Sequence, residues 1–270
     1  MGIFGGRRAV RVLTWLSANG YTGMAEGTPP AYRNRNKLEV LLGPSIWDAV
    51  RGKRVVDFGC GLGHEAVEMV ERGAAHVVGV EVYEPFLEQA KSLARQRGVT
   101  DRCTFVRTWA GEAPADLIVS VDAFEHFDDP AAILEVFRAI LKPGGCVLAS
   151  FGPTWYHPYG GHIYSVVPYA HLVFSERALV DWRATLPGKT PARTFGESGI
   201  NKMTVSRFER VVAASPFQFT SFEVVPIRPV RWAANRLTRE FTTSIVRCRL
   251  ELRPEFVVRG PGDLSTSITV

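Results

Sequence analysis

Residues Val55–Ala66 read VVDFGCGLGHEA. Two apolar residues lead into Asp57, and Gly59, Gly61 and Gly63 then alternate with Cys60 and Leu62. The pattern predicts a buried strand that breaks into a helix through a glycine turn. Glycines at this density allow positive φ and let a ligand come close to the backbone. The helix that follows starts with unpaired N–H groups facing whatever occupies the turn. Such a unit steers the chain toward a doubly wound α/β sheet, which binds ligands at the carboxyl ends of its strands. A dinucleotide fingerprint G-x-G-x-x-G would need glycine at position 64. His64 stands there, which disfavours a nicotinamide enzyme.

Strand and helix patterns continue to alternate. His76–Val80 is an apolar run ending at Glu81, 18 residues past Gly63. An acid at the end of a second strand can accept both hydroxyls of a ribose. Val82–Pro85 predicts a turn with proline at the first helical position, and Phe86–Arg97 an amphipathic helix. Cys103–Arg107 predicts a third strand and Asp116–Val121 a fourth. Loop 122–130, DAFEHFDDP, leads to a helix over Ile133–Leu141. Lys142–Gly145 is a turn feeding a fifth strand, Cys146–Phe151.

Four of these pieces, taken in order, carry a family likeness. They are the 57–63 glycine turn, Glu81, the loop holding Glu125 and His126, and the LKPGG run at 141–145. Together they resemble the class I S-adenosylmethionine-dependent methyltransferases, closely over 55–152 and loosely over 203–252. The resemblance implies a mostly parallel, doubly wound seven-stranded sheet, Rossmann-like, with an aromatic-rich cap inserted after the fifth strand. It implies S-adenosyl-L-methionine as cofactor, held by Asp57, Gly59, Cys60, Gly61, Gly63, Glu81, Val82, Trp109, Ala110 and Asp122. Tyr32, Arg33 and Asn34 fall where many members hold the methionine carboxylate. One departure is Trp109, which stands where the family often carries an acid near the adenine. Its indole could cover the ring or pack under the sheet edge.

Four segments follow from this division: an N-terminal helical segment (1–54), a cofactor core (55–152), a substrate cap (153–202) and a C-terminal completion of the sheet (203–270). Arg7–Ala18 places Val10, Leu13 and Leu16 at helical spacing and is expected to dock rather than lie on a membrane. Asn36–Val50 reads as one helix. The cap is too long for an ordinary connection and holds Trp155, Tyr156, Tyr159, Tyr164, Tyr169, Phe174 and Trp182. Those rings can stack on an acceptor or form the cap's own core, with about half expected to face the pocket. A helix capped by Ser175 is expected to reach Leu186, and another to follow Thr204. Phe219–Ile227 and Ser244–Leu252 are the last two strands. Between them, Arg228, Arg231, Arg236 and Arg239 interleave with Trp232 and Leu237. The tail from Gly260 is expected to fray.

Methyl transfer is an in-line displacement that demands alignment and desolvation. A base is needed only where the acceptor must lose a proton. His162, in the glycine-hinged turn Tyr159–His162, and His126 are the catalytic candidates, with His157 behind them. Histidine spacing does not match a helical zinc pair, so no metal is expected.

Apolar residues make up 46% of the 270-residue chain, ample for a core. Apolar runs are strand-length, no secretory signal core is legible, and Cys60, Cys103, Cys146 and Cys248 fit no metal or redox spacing. These features point to a cytoplasmic protein with reduced thiols. Residues 55–150 carry 8 basic and 15 acidic groups, whereas 1–54 carry 9 and 3 and 201–270 carry 11 and 6. Basic flanks suit solvated helix faces, an anionic substrate, a membrane surface or, last, nucleic acid. No lysine-rich run, NPPY-like signature or Pro-Cys pair supports a nucleic-acid methylase. The expected function is methyl transfer to a small-molecule acceptor, anionic or aromatic, foremost on oxygen. N- or C-methylation and an inactive cofactor-binding partner subunit remain the alternatives.

Overall fold

The structure, a computed structural model, describes residues 2–18, 35–111, 113–189 and 191–257. Its strands are β1 Arg54–Phe58, β2 His76–Val80, β3 Cys103–Val106, β4 Ala115–Val121, β5 Leu141–Phe151, β6 Phe217–Pro226 and β7 Thr243–Leu252. They form one sheet in the order β3-β2-β1-β4-β5-β7-β6. β1 to β5 are parallel, and β7 runs antiparallel to both β5 and β6. This is the doubly wound seven-stranded sheet that the motifs imply.

Successive strand residues point to opposite faces, and here both faces are apolar and covered. Val56, Phe58, Val78 and Ile118 pack with helices Pro130–Ile140 and Val205–Ala213. Val55, Val77, Leu117 and Val119 pack on the other side with Lys37–Leu42, Ile46–Val50, His64–Glu71 and Glu84–Gln96. Local chemistry starts each helix. Asp129 accepts from the N–H groups of Ala131 and Ala132 ahead of a helix that opens on Pro130. Thr204 and Ser175 cap their helices in the same way, as side-chain acceptors do at helix starts.

Two readings of the sequence need correction. Residues 36–50 form two helices rather than one, because Gly43 turns at φ 88° and Pro44 follows it. The LKPGG run is part of β5 rather than a turn before it. Leu141 pairs with Ala115, residues 142–145 bulge, and pairing resumes at Cys146 opposite Leu117. Tyr32, Arg33, Asn34 and the tail from Gly260 lie outside the described residues.

The cap folds around its own rings. Tyr164, Phe174, Trp182 and Phe195 are buried in a third apolar cluster that also takes Ala9 and Leu13 of helix Gly6–Ala18. The stretch ahead of that helix is tied to the cap by Ser175 N–H donating to the Phe4 carbonyl at 2.7 Å. The N-terminal helix thus docks on the cap rather than on the sheet.

Chain direction places the last insertion. Because β7 is antiparallel to β5, its early residue Val246 lies beside Phe151, at the carboxyl end of β5. Residues 227–242, which join β6 to β7, therefore sit at the ligand-binding end beside the cap. Tyr156 and Phe241 meet there with ring centroids 5.1 Å apart.

Candidate active site

The glycine turn follows β1 and loop 122–130 follows β4. These two strands are neighbours at the point where strand order reverses, the crevice position of an open α/β sheet. Gly59, Gly61 and Gly63 have φ of 82°, 52° and 78°. Their surroundings differ. A Cβ on Gly63 would lie 2.7 Å from Ala90, and one on Gly79 would lie 2.5 Å from Phe105. Those two glycines let a helix and a strand close on their neighbours. A Cβ on Gly61 would meet nothing within 4 Å, so this residue faces free space.

Glu81 ties the ends of β1 and β2 together. Its Oε2 accepts from Gly61 N–H at 2.9 Å and its Oε1 from Tyr83 N–H at 2.8 Å. Each oxygen keeps a further acceptor site. Leu62, Val82, Tyr83 and Phe86 are large apolar side chains left exposed beside it. Trp109 is half-buried and leans on the sheet's apolar cluster, and Ala110 is exposed. Cys60 is buried, with its sulfur on the side toward Gly79.

Acidic groups gather at the crevice. Asp57 is 1% exposed, and its Oδ2 has no hydrogen-bond partner. Burial first, and then the charge of Glu65, pushes its carboxyl up to about 8 against the pull of Lys37. Lys37 lies 3.4 Å from Glu65 and 3.3 Å from Asp122. Burial opposes its charge, but those carboxylates more than offset it and raise its pKa. Asp122 itself takes a left-handed φ of 51° as β4 ends. Sequence reasoning missed Lys37 and Glu65. The signals were a lysine directly after the Asn36 cap and a glutamate in the first turn of the helix after Gly63.

Loop 122–130 is anchored from beneath and from above. Phe124 is buried against Phe127, Phe137, Phe151 and Phe208. Asn201, at the end of the cap, donates to the carbonyls of Phe124 and Phe127 at 2.7 Å each. Glu125 is 2% exposed. Its Oε1 accepts from Gly152 N–H at 3.2 Å, and its Oε2 has no partner. Burial, with Asp122 adding to it, pushes this carboxyl up to about 8.

The structure brings His126 and His162 together, with ring centroids 5.4 Å apart. Nδ1 of His126 is 2.6 Å from the Gly199 carbonyl. A carbonyl only accepts, so this nitrogen carries the hydrogen, and in the neutral form of the ring Nε2 holds the lone pair. His162 is pushed down to about 3, by burial first and by the neighbouring histidines after it. It is a neutral ring at physiological pH. His162 lines a narrow crevice with Glu125, Pro153, Trp155, Gly160 and Lys202. Lys202 pairs with Glu176 at 2.8 Å and lies over the rings of Trp155 and Phe195. The other two cap histidines lie near His162 but are engaged in bonds of their own. His171 is held to the Trp155 carbonyl, and His157 accepts from Tyr159 N–H. Of the cap aromatics, Trp155 reaches the crevice, while Tyr164, Phe174 and Trp182 are spent on the cap's core.

A family model described as a methyltransferase domain matches residues 31–190. The chain belongs to this family. A ubiquinone biosynthesis O-methyltransferase of Neisseria meningitidis is 32% identical over 158 residues, covering 56% of this chain and 65% of that protein. A tRNA 5-carboxymethoxyuridine methyltransferase of Escherichia coli is 33% identical over 104 residues, 36% of this chain and 40% of that protein. The chain thus spans less than two thirds of these curated relatives. A solved S-adenosylmethionine-dependent methyltransferase from Mesorhizobium loti has the same fold, with TM-score 0.50 at 20% identity over 77% of this chain and 96% of its own.

The cofactor of this methyltransferase is S-adenosylmethionine, and the crevice has the chemistry to take it. The buried Asp57 carboxyl, whose Oδ2 has no hydrogen-bond partner, can ionise to receive a cationic group, and Glu81 suits a sugar diol. Gly61 leaves space at the backbone where a side chain would fill it.

Proposed function

We propose that this methyltransferase acts on an oxygen of a small-molecule acceptor bound between loop 122–130 and the cap. S-adenosylmethionine supplies an electrophilic methyl group on a sulfonium. The protein's tasks are to hold both partners in line, exclude water and receive a proton. Glu65 offers negative charge to the cofactor's cationic end, the buried carboxyl of Asp57 ionises as that cation arrives, Lys37 offers an ammonium to its carboxylate, and Glu81 accepts from its ribose hydroxyls. Val82, Trp109 and Ala110 border the adenine side, and Asp122 closes the crevice at the end of β4.

The observation that carries the oxygen reading is the histidine pair. His126 has its tautomer set by the Gly199 carbonyl, which leaves Nε2 as the proton acceptor. His162 stays neutral and too weakly basic to take the proton itself, so it positions the acceptor's hydroxyl. This assignment reverses the order in which the sequence ranked the two rings. Trp155 and Lys202 flank His162 in a gap too narrow to hold a ligand as it stands, with Lys202 paired to Glu176. Relatives named O-methyltransferases support the oxygen choice.

The test is transfer of labelled methyl from S-adenosylmethionine to a panel of phenols, carboxylates, sugar alcohols and amines, with wild type and His126→Asn. Asparagine keeps a donor for Gly199 and removes Nε2. The expected result is methyl ether or ester product, with kcat reduced about 100-fold in the variant and cofactor affinity unchanged. Transfer confined to amines, or full turnover by the variant, would overturn the proposal.

A further inference from the structure

We propose that segment 227–242 is a membrane-surface anchor. It seats Trp232 and Leu237 at the headgroup boundary of an anionic bilayer and sets Arg228, Arg231 and Arg236 against lipid phosphates. The inference stands apart from the proposed reaction. It begins with exposure. Trp232 is 84% exposed and Leu237 93% exposed. Values this high belong to convex tips, where side chains stand clear of their surroundings. Water is a poor environment for either side chain, whereas an interface takes tryptophan and leucine together.

Charge points the same way. No acidic residue lies between Glu223 and Glu240, a stretch holding four arginines. Arg239 is committed to Glu209. Arg228, Arg231 and Arg236 are exposed in the same segment as Trp232 and Leu237. Among the described residues, none of the three has an ion-pair partner.

The segment is also pre-ordered. Residues Arg228–Ala233 form a 3₁₀ turn. Asn235 Oδ1 accepts from the N–H groups of Leu237 and Thr238 at 2.8 and 3.2 Å, and Asn235 N–H donates to Thr238 Oγ1 at 3.0 Å. These bonds fix the backbone while leaving both apolar tips outward, so little ordering entropy opposes docking. The chain direction of β6 and β7 puts the segment at the carboxyl end of the sheet, beside the cap. Docking would therefore bring the crevice end of the molecule to the membrane.

A lipid surface fits better than the other polyanions. Nucleic acid would use the arginines and stack on Trp232, but it offers nothing to Leu237. A protein partner would need a pocket shaped for two protruding tips, whereas a bilayer accepts them without one.

The test uses the full chain in vesicle flotation, with phosphatidylcholine alone or with one part in three phosphatidylglycerol. The chain is expected to float with the anionic vesicles only, and raising salt should release it. Each of Arg228→Gln, Arg231→Gln and Arg236→Gln is expected to lower partitioning about fivefold. A Trp232→Ala, Leu237→Ala double variant is expected to lower it at least about tenfold. Affinity for S-adenosylhomocysteine should stay at the wild-type value in all of them. As a check that does not depend on a large truncation, brominated acyl chains should quench tryptophan emission in wild type, and Trp232→Phe should remove the quenched component. No flotation with anionic vesicles at low salt would overturn the proposal. So would quenching unchanged by Trp232→Phe, or retention by an RNA oligonucleotide without vesicle binding.

Discussion

Asp57 is a carboxylate buried beside a lysine that has two other acids to serve. Its carboxyl sits at about 8 rather than the ordinary 3.8. A raised carboxyl pKa means that the folded state binds the proton more tightly than the unfolded state. Stability from this group is whole below 3.8 and is lost as pH climbs through about 8. Asp57→Asn keeps the shape and removes the titration. Without cofactor, the variant should melt several degrees above wild type at pH 9 and level with it near pH 4. Equal pH dependence in the two proteins, read by scanning calorimetry, would contradict this account of the site. The residues of the glycine turn were legible because their spacing is local and each glycine answers a backbone demand. Lys37 was not, because its partners Glu65 and Asp122 come from other elements and only the fold brings them within 3.4 Å.

Elements show the same division between local and tertiary information. Capping residues and apolar spacing announced the helices after Asp129, Ser175 and Thr204. Gly43 and Pro44 were there to be read as a break, but the apolar positions on either side carried the period across them. The helix Gly6–Ala18 was visible as an amphipathic segment. Its docking partner was not, since the cap's ring cluster has no counterpart in sequence spacing. Leu13 is fully buried in that cluster, so Leu13→Ala should cost ~2–5 kcal/mol in a denaturant melt of the intact chain. A loss below ~1 kcal/mol would mean that the helix is a passenger on the cap. The same clustering explains why the cap's aromatics, expected to divide between core and pocket, left mainly Trp155 for the crevice. A small unit inserted in a larger fold must first bury its own apolar surface.

Across the whole molecule, the doubly wound sheet was legible because three of the four motifs follow the carboxyl ends of β1, β2 and β4 and the fourth opens β5 at the opposite edge. The charge asymmetry was legible as well, and the structure shows where it sits. Acidic residues crowd the crevice around Lys37, and unpaired arginines decorate the segment between β6 and β7. Among the described residues, no helix is long and apolar enough to cross a membrane. The histidine pair needed the fold, because His162 comes 36 positions after His126 and only the cap's return over loop 122–130 brings the rings together.

One titration addresses the site on which everything else is built. Calorimetric binding of S-adenosylhomocysteine should be compared between wild type and Gly61→Val. The valine would project into the open space beside Glu81 and strain a φ of 52°. Wild type is expected to bind one equivalent, and a folded Gly61→Val protein to bind at least about 100-fold more weakly. Equal affinity in the two would place the nucleoside somewhere other than the turn after β1.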